Sequence, residues 1–277
     1  MGNVDEGPRH AERSVRAGWP GMRGKRVVVT GGSRGLGEGI VRLLLAEGAR
    51  VATCARGKAG LAALDASLPG EERARLLTED LDVTEPGRLE DFVTTAAKRF
   101  GTLDGVVACV GGSRGGGFEQ ADAADWAATW DLNVGHTVRL VRAALPCLRA
   151  AGGGSVVLIS SISGWKPGRP AQYGAAKSAQ IHLAASLARE LGPDNVRVNA
   201  VSPGSMLIPG RRWDRLRRED PGAYDRFVGA ELPGGRPVTP HEVARTVVFL
   251  LSDWASGVSG AHLPVDRAQN APSPDGY

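Results

Sequence analysis

Two residues four apart in AQYGAAKSAQ, residues 171–180, carry the most pointed chemistry of the chain. Tyr173 is one of three tyrosines, and Lys177 is one of five lysines among 34 lysines and arginines. A lysine kept where arginine is the rule suggests a compact, titratable ammonium. At i and i+4 of a helix the two side chains share a face, which sets the ammonium beside the phenol. A phenol ordinarily titrates near ~10. A neighbouring positive charge favours its ionised form, making a proton donor and acceptor usable near neutral pH.

A second site is TGGSRGLG, residues 30–37, between a short apolar run and a helical pattern. Gly31, Gly35 and Gly37 permit a tight turn and close approach of backbone to a pyrophosphate, which the following helix amino terminus attracts. Ser33, Arg34 and Leu36 complete the turn as candidate cofactor contacts. The next apolar run ends Cys54-Ala55-Arg56, with no acid to hold a ribose 2′-hydroxyl. Arg56 and Arg34 could instead face a 2′-phosphate, which matches a guanidinium fork. The expected cofactor is therefore NADPH/NADP+, ahead of NADH/NAD+.

Positioning such groups needs a regular frame, and the chain has one. Short apolar runs at 25–31, 50–55, 73–83, 103–112, 155–161, 195–204 and 260–265 alternate with helical patterns at 36–49, 58–68, 88–101, 121–150, 171–191 and 240–251. The pattern at 121–150 should break near Asn133. Repeated β-α units with strands apolar throughout predict an α/β single-domain Rossmann fold, a doubly wound parallel sheet with helices on both faces. That unit should span 22–277, after a loose tail at 1–21. Residues 205–236 interrupt the rhythm with Pro-Gly pairs and seven Arg against five Asp or Glu, and are expected to be an irregular lid over the substrate.

Composition narrows the classes. The net charge of +4 is mildly basic and aromatics are few, 5%, so nucleic-acid binding is not expected. No stretch approaches a membrane span. Cys54, Cys109 and Cys147 are far apart and the five histidines lack ligand spacing, so no metal and no disulfide framework is predicted. The amino-terminal residues lack the apolar core of a secretory signal, and a cytoplasmic protein is expected.

Together these motifs resemble the short-chain dehydrogenase/reductase family over about residues 22–268. Asp82-Val83 matches its adenine contact, Asn133 in DLNVG its helix asparagine, VVLISSISG its serine strand, and NAVSPG at 199–204 the strand before the substrate loop. The S-x-x-G alignment puts the catalytic serine at Ser161, with Ser160 the alternative. The resemblance implies a tetrad of Asn133, Ser161, Tyr173 and Lys177. Tyr173 would protonate a carbonyl oxygen as hydride arrives, and Ser161 would stabilise the developing charge. Lys177 would also bind the nicotinamide ribose, and Asn133 would hold a water for proton relay. Gly111, Pro203, Gly204 and Ser205 complete the implied cofactor contacts. The activity implied is NADPH-dependent reduction of a ketone to a secondary alcohol. The same chemistry run as an alcohol dehydrogenase is the alternative, and a non-catalytic cofactor-binding regulator the remote one.

Three departures stand out. The family's Asn-Asn-Ala-Gly reads Ala108-Cys109-Val110-Gly111, a threonine position before the lid reads Ile208, and the carboxyl-terminal V-D-G-G reads Val265-Asp266-Arg267-Ala268. Arg114, Trp165, Gln172 and Trp213 are the candidate contacts to a small-molecule carbonyl substrate. The family resemblance further implies a homotetramer or homodimer built on 121–150 and 171–191. The alanine, glycine and arginine bias resembles high-GC bacterial proteins, among which many such reductases serve secondary metabolism.

Overall fold

The computed structural model describes residues 21–271; the expected tail at 1–21 lies, but for Gly21, outside them. In chain order the elements are β1 (Arg26–Thr30), α1 (Gly35–Ala46), β2 (Arg50–Ala55), α2 (Lys58–Ser67), the single turn α3 (Gly70–Arg73), β3 (Leu76–Asp80), α4 (Arg88–Phe100) and β4 (Gly105–Ala108). There follow α5 (Ala123–Trp130), α6 (His136–Ala150), β5 (Gly154–Ile159), α7 (Ala171–Leu191), β6 (Val196–Pro203), α8 (Arg212–Glu219), α9 (Pro221–Glu231), α10 (Pro240–Leu251) and β7 (His262–Val265). The seven strands form one sheet in the order β3-β2-β1-β4-β5-β6-β7, all pairs parallel.

The apolar strands are apolar because both faces are covered. Val28 of β1 packs with Val106, Val156 and Leu158 beneath Phe92 of α4 and Leu140 of α6. Its neighbours Val27 and Val29 point the other way, into Ile40 and Leu44 of α1 and Val247 of α10. A strand with period two thus feeds two cores. The chain winds outward from β1 through β2 to β3, then restarts at β4 and winds the opposite way. The crevice outside the carboxyl ends of β1 and β4 is where such a sheet takes a ligand.

Two segments differ from the sequence expectation. The break near Asn133 is a widened π-helical turn, Asp131–Gly135, where the His136 N–H reaches the Asp131 carbonyl, so α5 and α6 run on as one rod. The irregular lid is instead largely helical, as α8 and α9. Its Pro-Gly pairs are punctuation: Asp220 caps α9 by accepting the Ala223 N–H, with Pro221 at the first position. Trp213 stacks on Phe227 at 3.8 Å and joins the two helices.

Candidate active site

The glycine turn closes the amino end of α1. Gly31 and Gly35 have φ of 82° and 60°, in the left-handed region, and a Cβ on Gly37 would overlap the Gly31 carbonyl. Leu36 is buried in the first turn of α1, Ser33 lies against Gly60 of α2, and Arg34 projects to solvent. The first N–H groups of α1 face the crevice, a cradle of the kind a pyrophosphate fills.

The departure at Ala108-Cys109-Val110-Gly111 is absorbed locally. The Thr30 hydroxyl accepts the Cys109 and Val110 N–H groups at 3.0 and 3.3 Å, tying β1 to the β4 turn. Gly111 has a specific reason to lack a side chain: a Cβ there would lie 2.8 Å from both Asn133 Oδ1 and Lys177 Nζ. Ile208 lies against the other wall, its side chain the nearest neighbour to a Cβ on Gly35. The start of the lid therefore crosses the glycine turn.

On the adenine side, Asp82 accepts the Thr84 N–H and hydroxyl at 2.9 and 2.7 Å, and Arg56 stands 3.7 Å from its other oxygen. Burial opposes ionisation of Asp82, but these bonds with the Arg56 and Arg114 charges hold its carboxyl below the ordinary range. Val83 is buried and its carbonyl accepts Arg139 at 2.9 Å. Burial and the like charges of Arg34, Arg215 and Arg56 depress the Arg211 guanidinium, so four arginines crowd this end of the crevice.

Tyr173 and Lys177 sit at the start of α7. Tyr173 is half-buried, and the Lys177 ammonium lies 5.6 Å from the centre of its ring. The adjacent serines divide cleanly. Ser160 is buried and donates to the Lys177 carbonyl at 2.7 Å, pinning β5 to α7. Ser161 faces the crevice and accepts the Ser163 N–H at 3.1 Å. Lys177 Nζ donates to the Ile159 carbonyl and to Gln180 Oε1, each at 2.8 Å. Burial pulls its pKa down from 10.5 to about 7. At Tyr173 burial pushes the phenol above its ordinary value, with the Ser161 side chain pulling only partly back. The ammonium is drawn toward two carbonyl acceptors, and burial dominates at the phenol.

Asn133, on the π-turn, is fully buried. Its amide donates to Gly112 O and Thr129 O at 2.7 and 2.6 Å and accepts the Gly112 N–H at 3.2 Å. Its main-chain carbonyl accepts Thr137 Oγ1 at 2.7 Å and Gln180 Nε2 at 3.0 Å. Pro203 pairs with Val265 at the end of β6, and the Gly204 N–H donates to the Val265 carbonyl. Ser205 is bracketed by Gln269, which accepts its N–H at 2.7 Å and donates to its hydroxyl at 2.9 Å.

The substrate candidates scatter. Gln172 is buried and spends its amide N–H groups on the Arg114 and Gly116 carbonyls at 2.9 and 3.1 Å, so it braces the glycine loop. Arg114 bears on Asp82. Trp165 lies beside the crevice with its ring 5.3 Å from that of His262. Trp213 is engaged inside the lid with Phe227 and Arg212. The lid is moored by Lys166–Glu231 at 2.6 Å and by Arg267, which reaches Gly234 O and Glu242. Gln180, Thr137, Gln269 and Arg211 are the site residues that sequence reasoning missed. Gln180 alone left a signal, as a polar residue one helical turn beyond Lys177.

A doubly wound sheet with a glycine turn at its switch point and a Ser-Tyr-Lys cluster beside it defines a nucleotide-dependent oxidoreductase acting on CH–OH/C=O groups. The family model described as Enoyl-(Acyl carrier protein) reductase matches residues 31–267. The chain is 34% identical over 250 residues to the isoepoxydon dehydrogenase patN of Penicillium expansum, covering 89% of this chain and 95% of that one. It is 36% identical over 249 residues to the 3-alpha-(or 20-beta)-hydroxysteroid dehydrogenase of Mycobacterium tuberculosis, covering 88% of each. L-Sorbose reductase from Gluconobacter frateurii, solved with NADPH and L-sorbose, superposes with a TM-score of 0.83 at 29% identity, over 90% of this chain and 98% of that one. The protein belongs to the short-chain dehydrogenase/reductase family, whose members use NAD(P) cofactors.

Proposed function

We propose that this protein reduces a ketone to a secondary alcohol with NADPH, Tyr173 serving as general acid. The observation that carries the reading is a half-buried phenol on the helix face of Lys177, whose Nζ lies 5.6 Å from the centre of its ring, with burial holding the phenol above its ordinary pKa. Such a phenol stays protonated through neutral pH, ready to give its proton to a carbonyl oxygen. Ser161 donates to the same oxygen and offsets the charge that develops there. Lys177, held by the Ile159 carbonyl and Gln180, keeps a third N–H for the ribose. The bound cofactor supplies the hydride. Asn133 orients the Gly112 backbone, and the turn from Gly31 to Gly37 with Ser205 and Gly204 borders the rest of the cofactor.

NADPH is favoured because β2 ends without an acid while Arg34, Arg56, Arg211 and Arg215 gather nearby. Charge-assisted bonds to a phosphate contribute about 1.5–3 kcal/mol each. Oxidation of an alcohol is the second reading, supported by relatives named dehydrogenases. The three free cysteines fit a reducing, cytoplasmic setting. Among the described residues no helix is long and apolar enough to cross a membrane. A homodimer or homotetramer through α5–α6 and α7 is supported by Phe118 and Trp130, which remain 75% and 49% exposed near α5.

The test is a ketone panel read by loss of reduced-nicotinamide absorbance with each cofactor. We expect kcat/KM to favour NADPH over NADH by about 10²-fold, and Arg34→Ala with Arg56→Ala to erase most of that preference. Equal use of NADH would remove the NADPH assignment. Full turnover by Tyr173→Phe would remove Tyr173 as the acid.

A further inference from the structure

The buried chemistry behind Tyr173 includes one side chain with no role so far. Gln180 lies on the face of α7 that carries Tyr173 and Lys177, is fully buried, and satisfies every hydrogen-bonding group of its amide but one lone pair. Its Oε1 accepts Lys177 Nζ at 2.8 Å, while Nε2 donates to the Asn133 carbonyl at 3.0 Å and to Thr137 Oγ1 at 2.9 Å. Thr137 Oγ1 also donates to the Asn133 carbonyl. A carbonyl oxygen has two lone pairs, and here both are engaged by protein.

The groups facing Lys177 are neutral. Cys109, at the end of β4, is pushed up to about 12 by burial. His136, at the start of α6, is pulled down to about 3 by burial and then by the lysine itself. Tyr173 and Ser161 face it from α7 and from the end of β5. The ammonium is therefore held by the Ile159 carbonyl and one amide oxygen, with no carboxylate among the described residues bonded to it.

We infer that Gln180 is the positioning residue of the reactive lysine. It fixes the ammonium between β5 and the π-turn, and with Thr137 it fills the Asn133 carbonyl against a relay water. The inference rests on the reading of Tyr173 and Lys177 as the reacting pair.

The side chain's neutrality gives it a signature. In Gln180→Glu a carboxylate faces the ammonium and stabilises it; in Gln180→Met the ammonium loses an acceptor. With NADPH and a ketone that the wild type reduces, we expect the alkaline inflection of kcat to move up by about one unit in the Glu variant and down by about one unit in the Met variant. The Met variant should also lose about tenfold in kcat near pH 8 with KM little changed. Inflections that stay in place, or move together, would overturn the proposal in favour of a purely structural side chain. Should either variant fold poorly, 15Nζ spectra of the wild type and of Gln180→Asn decide: the shorter amide should shift the Lys177 resonance and its titration, and a resonance and titration unmoved by it would overturn the proposal. Turnover surviving in Tyr173→Phe sinks the underlying reading instead, so the two failures are distinct.

Discussion

Replacing Lys177 by methionine isolates what it costs to bury an ammonium. Burial lowers the lysine from 10.5 to about 7. Between those values the unfolded chain holds a proton that the native chain lacks, so stability rises with pH. The contribution is fully present above the unfolded value and is lost as pH falls through the native one. At about 1.4 kcal/mol per unit the full shift corresponds to at most about 5 kcal/mol, and to about 4 kcal/mol between pH 6 and pH 10. Relaxation around a buried charge reduces this, and we expect about 2–4 kcal/mol. The methionine variant has no such dependence, while its unpartnered Ile159 carbonyl and Gln180 amide add a cost that is independent of pH. Urea unfolding of both proteins at pH 6, 8 and 10 therefore has one expected result. The variant's stability relative to wild type should fall by about 2–4 kcal/mol across the range, while its turnover is lost throughout. Curves parallel to within about 0.5 kcal/mol would refute a depressed Lys177.

Four further outcomes follow from the same structure. Ser161→Ala should lower kcat by about 10²–10³ with the melting temperature held. Ser160→Ala should cost about 1–2 kcal/mol in urea unfolding, because the Lys177 carbonyl loses a buried donor, with kcat changed only a few-fold. Ala268 has φ of 66°, so Ala268→Gly should raise stability in the same assay by about 0.5–1 kcal/mol. Trp130→Glu with Phe118→Ser should drive the protein toward monomer in sedimentation velocity, and an unchanged sedimentation coefficient would exclude that face.

The frame was legible because doubly covered strands must be apolar and helices must not be. The expected helices at 171–191 and 240–251 match α7 and α10 to the residue. Even the break near Asn133 was foreseen, though not its form, since a π-turn keeps the rod continuous and leaves no Pro or Gly pair as a mark. The lid was misjudged for a physical reason. α8 carries Arg, Asp and Glu at most positions, and its helical order comes from Trp213 stacking on a residue of α9, which no local window contains. Ser160 and Ser161 could not be separated by spacing alone, because neighbours at a strand end point to opposite faces and only the sheet decides which meets α7. Gln180 of α7 and Thr137 of α6 are 43 residues apart in sequence, and their meeting is a product of packing.

The π-turn has a mechanical consequence. It lets α5 and α6 run as one rigid strut from Trp130, at the surface, past the carbonyl that Gln180 grips. A displacement of that strut along its axis would drag the carbonyl, the amide and the ammonium in series. Whatever presses on the outside of the rod thus has a direct lever on the position of the Lys177 ammonium.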